Sequence, residues 1–264
     1  MIYPKTFPIF KDDPLSNMVL VRKGTFAMGD NKIPIEIERD FYIGCYLVTQ
    51  AVWKRVMDDN NPSYFLGDNL PVEQVSWWDI CGNINWAETT NEYEKIEPAN
   101  SFLNKLKNCQ DVNPRLGDET FMGWDFDLPS ETQWAYAARG GNVDLRLKYA
   151  GSDVLEEVGW YEGNAKGETK RVGEKRSNGL GLFDMSGNVW EWCRDEWEGN
   201  YGTNAPEYLK TDKPHLPEKR HANRVMRGGS WGSKSSDCKV ANRFYGWPES
   251  RSFGCGFRLV FFPH

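Results

Sequence analysis

The chain has 264 residues, with 32 basic and 38 acidic side chains and a formal net charge of −6. That balance disfavours a nucleic-acid binder, whose affinity comes from clustered Lys and Arg neutralising phosphates. With 39% hydrophobic and 14% aromatic residues the chain can bury a core, which excludes intrinsic disorder, and its 12 tryptophans far exceed ordinary usage.

The N-terminus, Met1-Ile-Tyr-Pro-Lys-Thr-Phe-Pro, has neither the charged nor the apolar region of a signal peptide. The reading is either a cytoplasmic protein or a chain that starts after a removed signal. Residues 1–17 are read as an extension, and residues 18–264 as one domain, because no break in composition marks a linker. Two apolar-rich runs, Met18-Val-Leu-Val-Arg and Ile33-Pro-Ile-Glu-Ile-Glu, predict strands. Thr49 predicts the cap of a short helix over Gln50 to Met57, with Val52, Trp53 and Val56 on its apolar face. A second helix is predicted from Ser76, with Trp77, Ile80, Ile84 and Trp86 inward, and a third over 97–108, where Phe102, Leu103 and Leu106 form a stripe. The best-defined helix starts at Ser130: Ser130-Glu-Thr-Gln133 has the form of a capping box, and Gly140-Gly141 supplies the stop. Beyond residue 141 helical patterns disappear, glycine becomes frequent, and Trp, Asn and Arg punctuate short segments. Long irregular stretches in a compact domain are functional or are held by fixed polar contacts and bound ions.

Metal and redox signals are weak. The cysteines at 45, 81, 109, 193, 238 and 255 form no CxxC pair, and His215, His221 and His264 lack the spacing that puts two imidazoles on one helical face. The longest apolar runs, such as Leu259 to Phe262, are far shorter than the roughly 20 residues that cross a bilayer.

Four segments carry more information: Leu128-Pro-Ser-Glu-Thr-Gln-Trp-Ala-Tyr-Ala-Ala-Arg-Gly-Gly141, Asn178-Gly-Leu-Gly-Leu-Phe-Asp-Met-Ser-Gly-Asn-Val-Trp-Glu-Trp192, Arg224-Val-Met-Arg-Gly-Gly-Ser-Trp231 and Gly256-Phe-Arg-Leu-Val260. In this order they resemble the formylglycine-generating enzyme (sulfatase-modifying factor) superfamily, from about Met18 to Val260. The resemblance implies an α+β, C-type-lectin-like fold with small antiparallel sheets, a few helices and much irregular loop. Large aromatics would then supply buried area, and indole N–H groups would bond to loop carbonyls. Most of the tryptophans are structural on this reading, with Trp77, Trp134, Trp190, Trp192 and Trp231 in scaffold motifs and Trp247 between patches.

The family's oxidases hold copper(I) on two cysteines, two and seven residues past the aromatic of the Gly-Gly-Ser-Trp motif. Counted from Trp231, those places are Ser233 and Cys238. A serine hydroxyl is a poor ligand for a soft ion, so no copper is expected and Cys238 is expected to be a buried, inert thiol. A second matched loop, Asp184 to Glu191, implies a structural Ca²⁺ held by the Asp184 and Glu191 carboxylates and the Gly187 and Val189 carbonyls. The alternative is that the two carboxylates tie the loop through backbone N–H bonds. Both readings stand open.

From Trp231 to Phe257, scaffold-like residues alternate with patches of another character: Gly232-Ser233, Ser235-Ser236-Asp237, Phe244-Tyr245-Gly246, Ser250 and Ser252-Phe253-Gly254-Cys255. This layout resembles the variable proteins of diversity-generating retroelements, in particular the spirochaete type, whose C-terminal region is rewritten by adenine-specific mutagenesis at AAC or AAT codons. Randomising the first two bases of such a codon reaches every residue in these patches but not Lys, Glu or Trp. Lys234, Lys239, Trp247 and Glu249 fall outside the patches. Ordinary loop composition is the bland alternative. Patches of Tyr, Phe, Ser and Gly on a fixed scaffold have the chemistry of an antibody paratope.

The resemblance therefore implies a non-catalytic binding protein with a diversified surface at about 231–257. It predicts Phe244, Tyr245 and Phe253 exposed together on one face. The expected partner is a protein or cell-surface ligand, the expected state a monomer, and the expected location the cell surface or another extracytoplasmic site, with a lipid-anchor signal upstream as one form. A copper-dependent oxidase acting on a sulfatase cysteine and a purely structural relative are the competing readings.

Overall fold

The structure, a computed structural model, describes residues 5–29, 32–82, 100–109, 111–112, 125–143, 146–199 and 221–262. Strands β1 (Thr6–Pro8), β2 (Asn17–Val21), β3 (Gly24–Met28), β4 (Ile33–Ile37) and β5 (Phe41–Gly44) come first, followed by helices α1 (Gln50–Val56), α2 (Trp77–Cys81) and α3 (Phe102–Lys107). Strand β6 (Asp125–Asp127), helix α4 (Glu131–Ala138) and a four-residue α5 (Leu155–Val158) follow, and then β7 (Trp190–Glu196), β8 (Arg224–Arg227), β9 (Arg243–Gly246), β10 (Cys255–Gly256) and β11 (Val260–Phe262).

The alternation of Ile33, Ile35 and Ile37 with polar neighbours does what a half-buried strand requires: all three isoleucines are buried and β4 pairs with β3 as a two-stranded hairpin. Strand β2 differs, with both of its faces covered. It lies in an antiparallel sheet of order β1-β2-β5-β11-β6, so strands from the two ends of the chain meet in one sheet. Met18, Leu20, Tyr42 and Phe261 face one apolar cluster that includes Trp53, Trp77 and Phe102 from the first three helices. Val19, Val21, Phe41, Ile43 and Val260 face a second, built on Trp134 and Tyr136 of α4. The period of two thus sends alternate residues of one strand into two cores. The second sheet, of order β10-β7-β8-β9, is antiparallel except for β10, which runs parallel to β7.

The helix starts at Thr49, Ser76 and Ser130 follow the sequence, each accepting a hydrogen bond from a first-turn backbone N–H, and Ser76 and Ser130 form reciprocal capping boxes with Asp79 and Gln133; α3, expected over 97–108, starts at Phe102 on a Ser101 cap that the stripe did not announce. Three expectations need correction. The segment assigned to an N-terminal extension is partly built into the domain, because Thr6–Pro8 pairs with β2 and Phe7 and Phe10 are buried. Helix continues past 141 as a 3-10 turn, Gly141–Val143, and as α5. α2 stops at Cys81, where Gly82 turns at φ 72°, and Ile84 and Trp86 lie outside the described residues.

The irregular half is pinned by polar side chains. The Asn178 amide donates to the Ala137 and Ala138 carbonyls, capping the C-terminal end of α4, while its oxygen accepts from the Leu180 and Leu182 N–H groups. Three indoles donate to loop or strand carbonyls as expected: Trp77 to Cys193 and Trp192 to Val75, both at 3.0 Å, and Trp231 to Phe253 at 2.9 Å.

Candidate functional site

The second sheet carries the C-terminal segment. β9 pairs with β8 in register Met226↔Phe244 and Val225↔Tyr245, which places the aromatic pair on the edge strand of this sheet. Arg243, immediately before the pair, is locked by a two-pronged ion pair to Glu131 at the start of α4, with contacts of 2.6 and 2.9 Å. On the other side, Arg251 makes the same kind of pair with Asp79 of α2, at 2.8 and 2.6 Å. The 250–255 loop is further held by the Gln74 N–H on the Ser252 carbonyl and the Trp231 indole on the Phe253 carbonyl.

These anchors shape a groove of about 430 Å³ lined by residues of β7, β8, β9, the 230–233 turn and the 250–255 loop. Phe244, Tyr245 and Phe253 are 49%, 44% and 46% exposed, so the expected exposed aromatic face exists. The Phe244 ring stacks on Trp190 at 5.1 Å and the Tyr245 ring leans on Trp197 at 4.9 Å, so both are held from beneath. Ten of the thirteen residues singled out in sequence line this one groove: Gly232, Ser233, Phe244, Tyr245, Gly246, Ser250, Ser252, Phe253, Gly254 and Cys255.

Ser235, Ser236 and Asp237 are not among its lining. They sit in a separate turn closed by backbone bonds from Asp237 to Lys234 and from Cys238 to Ser235. Ser233 is buried at 8% exposure, its hydroxyl accepting the Ser230 N–H, so it shapes the turn more than it offers a surface. Gly232 and Gly246 are unlike: a Cβ at Gly232 would meet nothing within 4 Å, whereas one at Gly246 would come within 2.7 Å of the Trp192 ring. The groove also includes Trp190, Trp192 and Trp231, which sequence motifs assigned to the scaffold, and Met226 and Ser230. Trp247, placed between patches, is 54% exposed. Sequence reasoning had no means to see that three scaffold indoles present one ring edge to the core and the other to the groove.

Cys238 is fully buried, burial pushes its thiol up to about 12, and the Ser233 hydroxyl is engaged with Ser230. The Asp184 to Glu191 loop is a compact knot in which the Glu191 carboxylate does not fit calcium. Both Glu191 oxygens bond the Arg258 guanidinium, at 2.5 and 2.9 Å, with both side chains fully buried, so a cation there would face a positive charge. Asp184 accepts the Gly173 N–H at 2.8 Å, Gly187 donates its N–H to the Gly228 carbonyl, and Val189 packs with Leu47 and Val172. Asp184 thus meets a backbone N–H as the alternative expects, whereas Glu191 is bonded by the Arg258 side chain and not by backbone N–H. Arg258 also donates to the Gly44 and Phe183 carbonyls, joining this loop to the first sheet.

Comparison with known proteins agrees with this geometry. The sulfatase-modifying factor enzyme 1-like domain matches residues 5–261. A chaperone protein LppX from Paenibacillus barcinonensis is 32% identical over 256 residues, covering 85% of this chain and 82% of that protein. A formylglycine-generating enzyme from Streptomyces coelicolor is 38% identical over 203 residues, 70% of this chain but 60% of that enzyme. Among solved structures, Treponema denticola variable protein 1 superposes with a TM-score of 0.68 at 27% identity, covering 97% of this chain and 98% of that one. PvdO from Pseudomonas aeruginosa, at 21% identity and TM-score 0.72 over 98% of this chain and 99% of that one, shows the shared fold. The α+β, C-type-lectin-like architecture expected from the motifs is the one observed. The chain belongs to the sulfatase-modifying factor (formylglycine-generating enzyme) family and shares its scaffold with a spirochaete variable protein.

Proposed function

We propose that this chain is a non-catalytic binding protein whose C-terminal surface, residues 231–257, is diversified to recognise a ligand. The observation that carries the reading is that ten of the thirteen patch residues, set apart in the sequence from the scaffold-like residues between them, line one aromatic groove with Phe244, Tyr245 and Phe253 exposed. Exposed rings cost solvation and are retained where they bind something. Tyr and Phe supply contact area at low entropy cost, and the serines around them adapt to hydrogen bonds. The similarity to a variable protein supports this reading, and a relative named as a chaperone is also a protein that binds. Display outside the cytoplasm follows from the same resemblance. No helix among the described residues is long and apolar enough to cross a membrane.

The similarity to formylglycine-generating enzymes raises the oxidase as a second reading. The chemistry at Ser233 and Cys238 speaks against it, because a hydroxyl and a thiol pushed up to about 12 cannot present the paired thiolates that Cu(I) requires.

Sequencing the coding segment for residues 231–257 across sibling isolates, together with the surrounding genome, tests the proposal. The expected result is a near-copy of the segment and substitutions confined to adenines of the patch codons. Substitutions scattered evenly over scaffold and patch codons, with no near-copy, would overturn it.

A further inference from the structure

We propose that the turn carrying Tyr64 and Leu66, far upstream of the C-terminal patches, is a fixed wall of the same recognition surface. We further propose that the joint surface receives an uncharged, apolar loop of another protein. The inference rests on the binding reading above and adds to it a constant contact region and the chemistry of the partner.

Position is the first argument. The Tyr64 ring lies 5.1 Å from Phe253 of the groove, and the Phe65 ring meets Trp231 edge-on at 5.5 Å. The turn therefore continues the groove's aromatic wall. Exposure is the second. Tyr64 and Leu66 are 66% and 75% exposed, more than Phe244, Tyr245 or Phe253.

Rigidity is the third. Gln50 is fully buried, and its amide donates to the Phe65 and Pro71 carbonyls while its oxygen accepts from the Asn61 side chain and the Gly67 N–H. Glu73, also fully buried, accepts the Phe65 N–H at 2.9 Å. The backbone is thus held on both sides of Tyr64 and Leu66, and these side chains cannot fold inward without breaking bonds to buried polar groups, each costing about 1–3 kcal/mol. Such preorganisation lowers the entropy cost of a contact.

The lining sets the partner's chemistry. The groove is built from Trp, Phe, Tyr, Met, Ser, Gly and Cys, with no carboxylate, amide, ammonium or guanidinium among its lining residues. A charge buried there would lose its hydration without a counter-charge, so a charged occupant is disfavoured. A neutral sugar would find serine and tyrosine hydroxyls but none of the carboxylates or amides that fix several hydroxyls at once. A small apolar molecule would be satisfied by the groove alone and would not account for Tyr64 and Leu66 outside it. A protein loop with apolar side chains reaches both.

The test uses disulfide-cyclised peptides displayed on phage and selected against the whole chain, followed by affinity measurement on a synthetic winner. The variants are Tyr64→Ser/Leu66→Ser, at the turn, and Phe244→Ser/Phe253→Ser, at the patches, each checked for an unchanged melting temperature. The expected winners carry apolar anchors without an essential charge, and the turn variant weakens them at least about tenfold. Loss with the patch variant but not with the turn variant would overturn the fixed wall and leave the binding reading standing. Indifference to both variants would overturn the binding reading itself. Winners that need a charged side chain, or displacement of the peptide by a neutral oligosaccharide, would overturn the stated partner chemistry.

Discussion

The Glu131–Arg243 pair connects the scaffold to the groove, and replacing Glu131 by Gln tests whether that connection carries energy. The carboxylate is 1% exposed, bonds Arg243 at 2.6 and 2.9 Å, and lies 3.6 Å from a second guanidinium, that of Arg227. Removing its charge leaves two guanidinium groups in the interior with reduced compensation. Breaking a buried pair costs about 3–5 kcal/mol, and Gln keeps one acceptor oxygen, so we expect about 3 kcal/mol. For a domain of this size that corresponds to a fall in Tm of roughly 6–12 °C. Urea unfolding at neutral pH, with an unchanged m-value, is the measurement. Glu131 also opens α4, where loss of a charge near the helix N-terminus costs about 0.3–1 kcal/mol by itself. A double-mutant cycle with Arg243→Met separates the two effects, since only the pair produces coupling. A total loss below about 1 kcal/mol, or no coupling, would show that the pair behaves like an exposed one and would refute the argument.

Three further outcomes are expected. Gly246→Ala should destabilise by about 1–3 kcal/mol because its Cβ meets the buried Trp192 ring, whereas Gly232→Ala should stay within about 0.5 kcal/mol; paired urea melts check this, and equal effects would refute the packing argument. Burial raises Glu73 from 4.5 to about 7, so the folded chain holds a proton that the unfolded chain releases near 4.5. Its stabilising effect is complete below about pH 4.5 and is lost as pH rises through 7, so Glu73→Gln should gain stability relative to the parent between pH 5 and 8, and a pH-independent difference would refute this. Titrating the reduced chain with Cu(I) should show no tight stoichiometric binding through Cys238, and iodoacetamide should leave that thiol unlabelled until urea unfolds the chain.

Local chemistry made much of the fold legible. Caps at Thr49, Ser76 and Ser130 act within four residues of their targets, so the helix starts could be read from sequence. The alternation at Ile33, Ile35 and Ile37 depends only on one strand facing one core. What stayed hidden is long-range. Thr6–Pro8 joins the domain because β2 has a vacant edge, and nothing in a three-residue strand announces its partner. The turn at Tyr64 is set by Gln50 and Glu73, whose roles emerge only once α1 has placed Gln50 against the turn from within. The patch positions were legible for a different reason: they stand out as small, polar or aromatic residues between scaffold-like ones, a pattern that needs no contacts to read. It therefore also included Ser235, Ser236 and Asp237, which do not line the groove.

The tryptophans show why scaffold and site are hard to separate in this fold. Trp192 is 1% exposed, donates its indole N–H to Val75, and still forms part of the groove. Trp190 supports Phe244, and Trp231 fixes the Phe253 carbonyl while meeting Phe65. On the binding reading proposed above, a surface rewritten at Phe244 and Phe253 needs beneath it rings that do not move when the residues above change. Indoles meet that need: Trp192 and Trp231 are each oriented by one directional N–H bond, and Trp190 lies stacked beneath Phe244 as a wide ring. The same logic sets a limit at Gly246, where the support is so close that no side chain fits without displacing Trp192. Substitution in this groove is thus bounded by the packing of its floor, and the positions with free space above that floor, Gly232 foremost, are where a new side chain can be added at the least cost to stability.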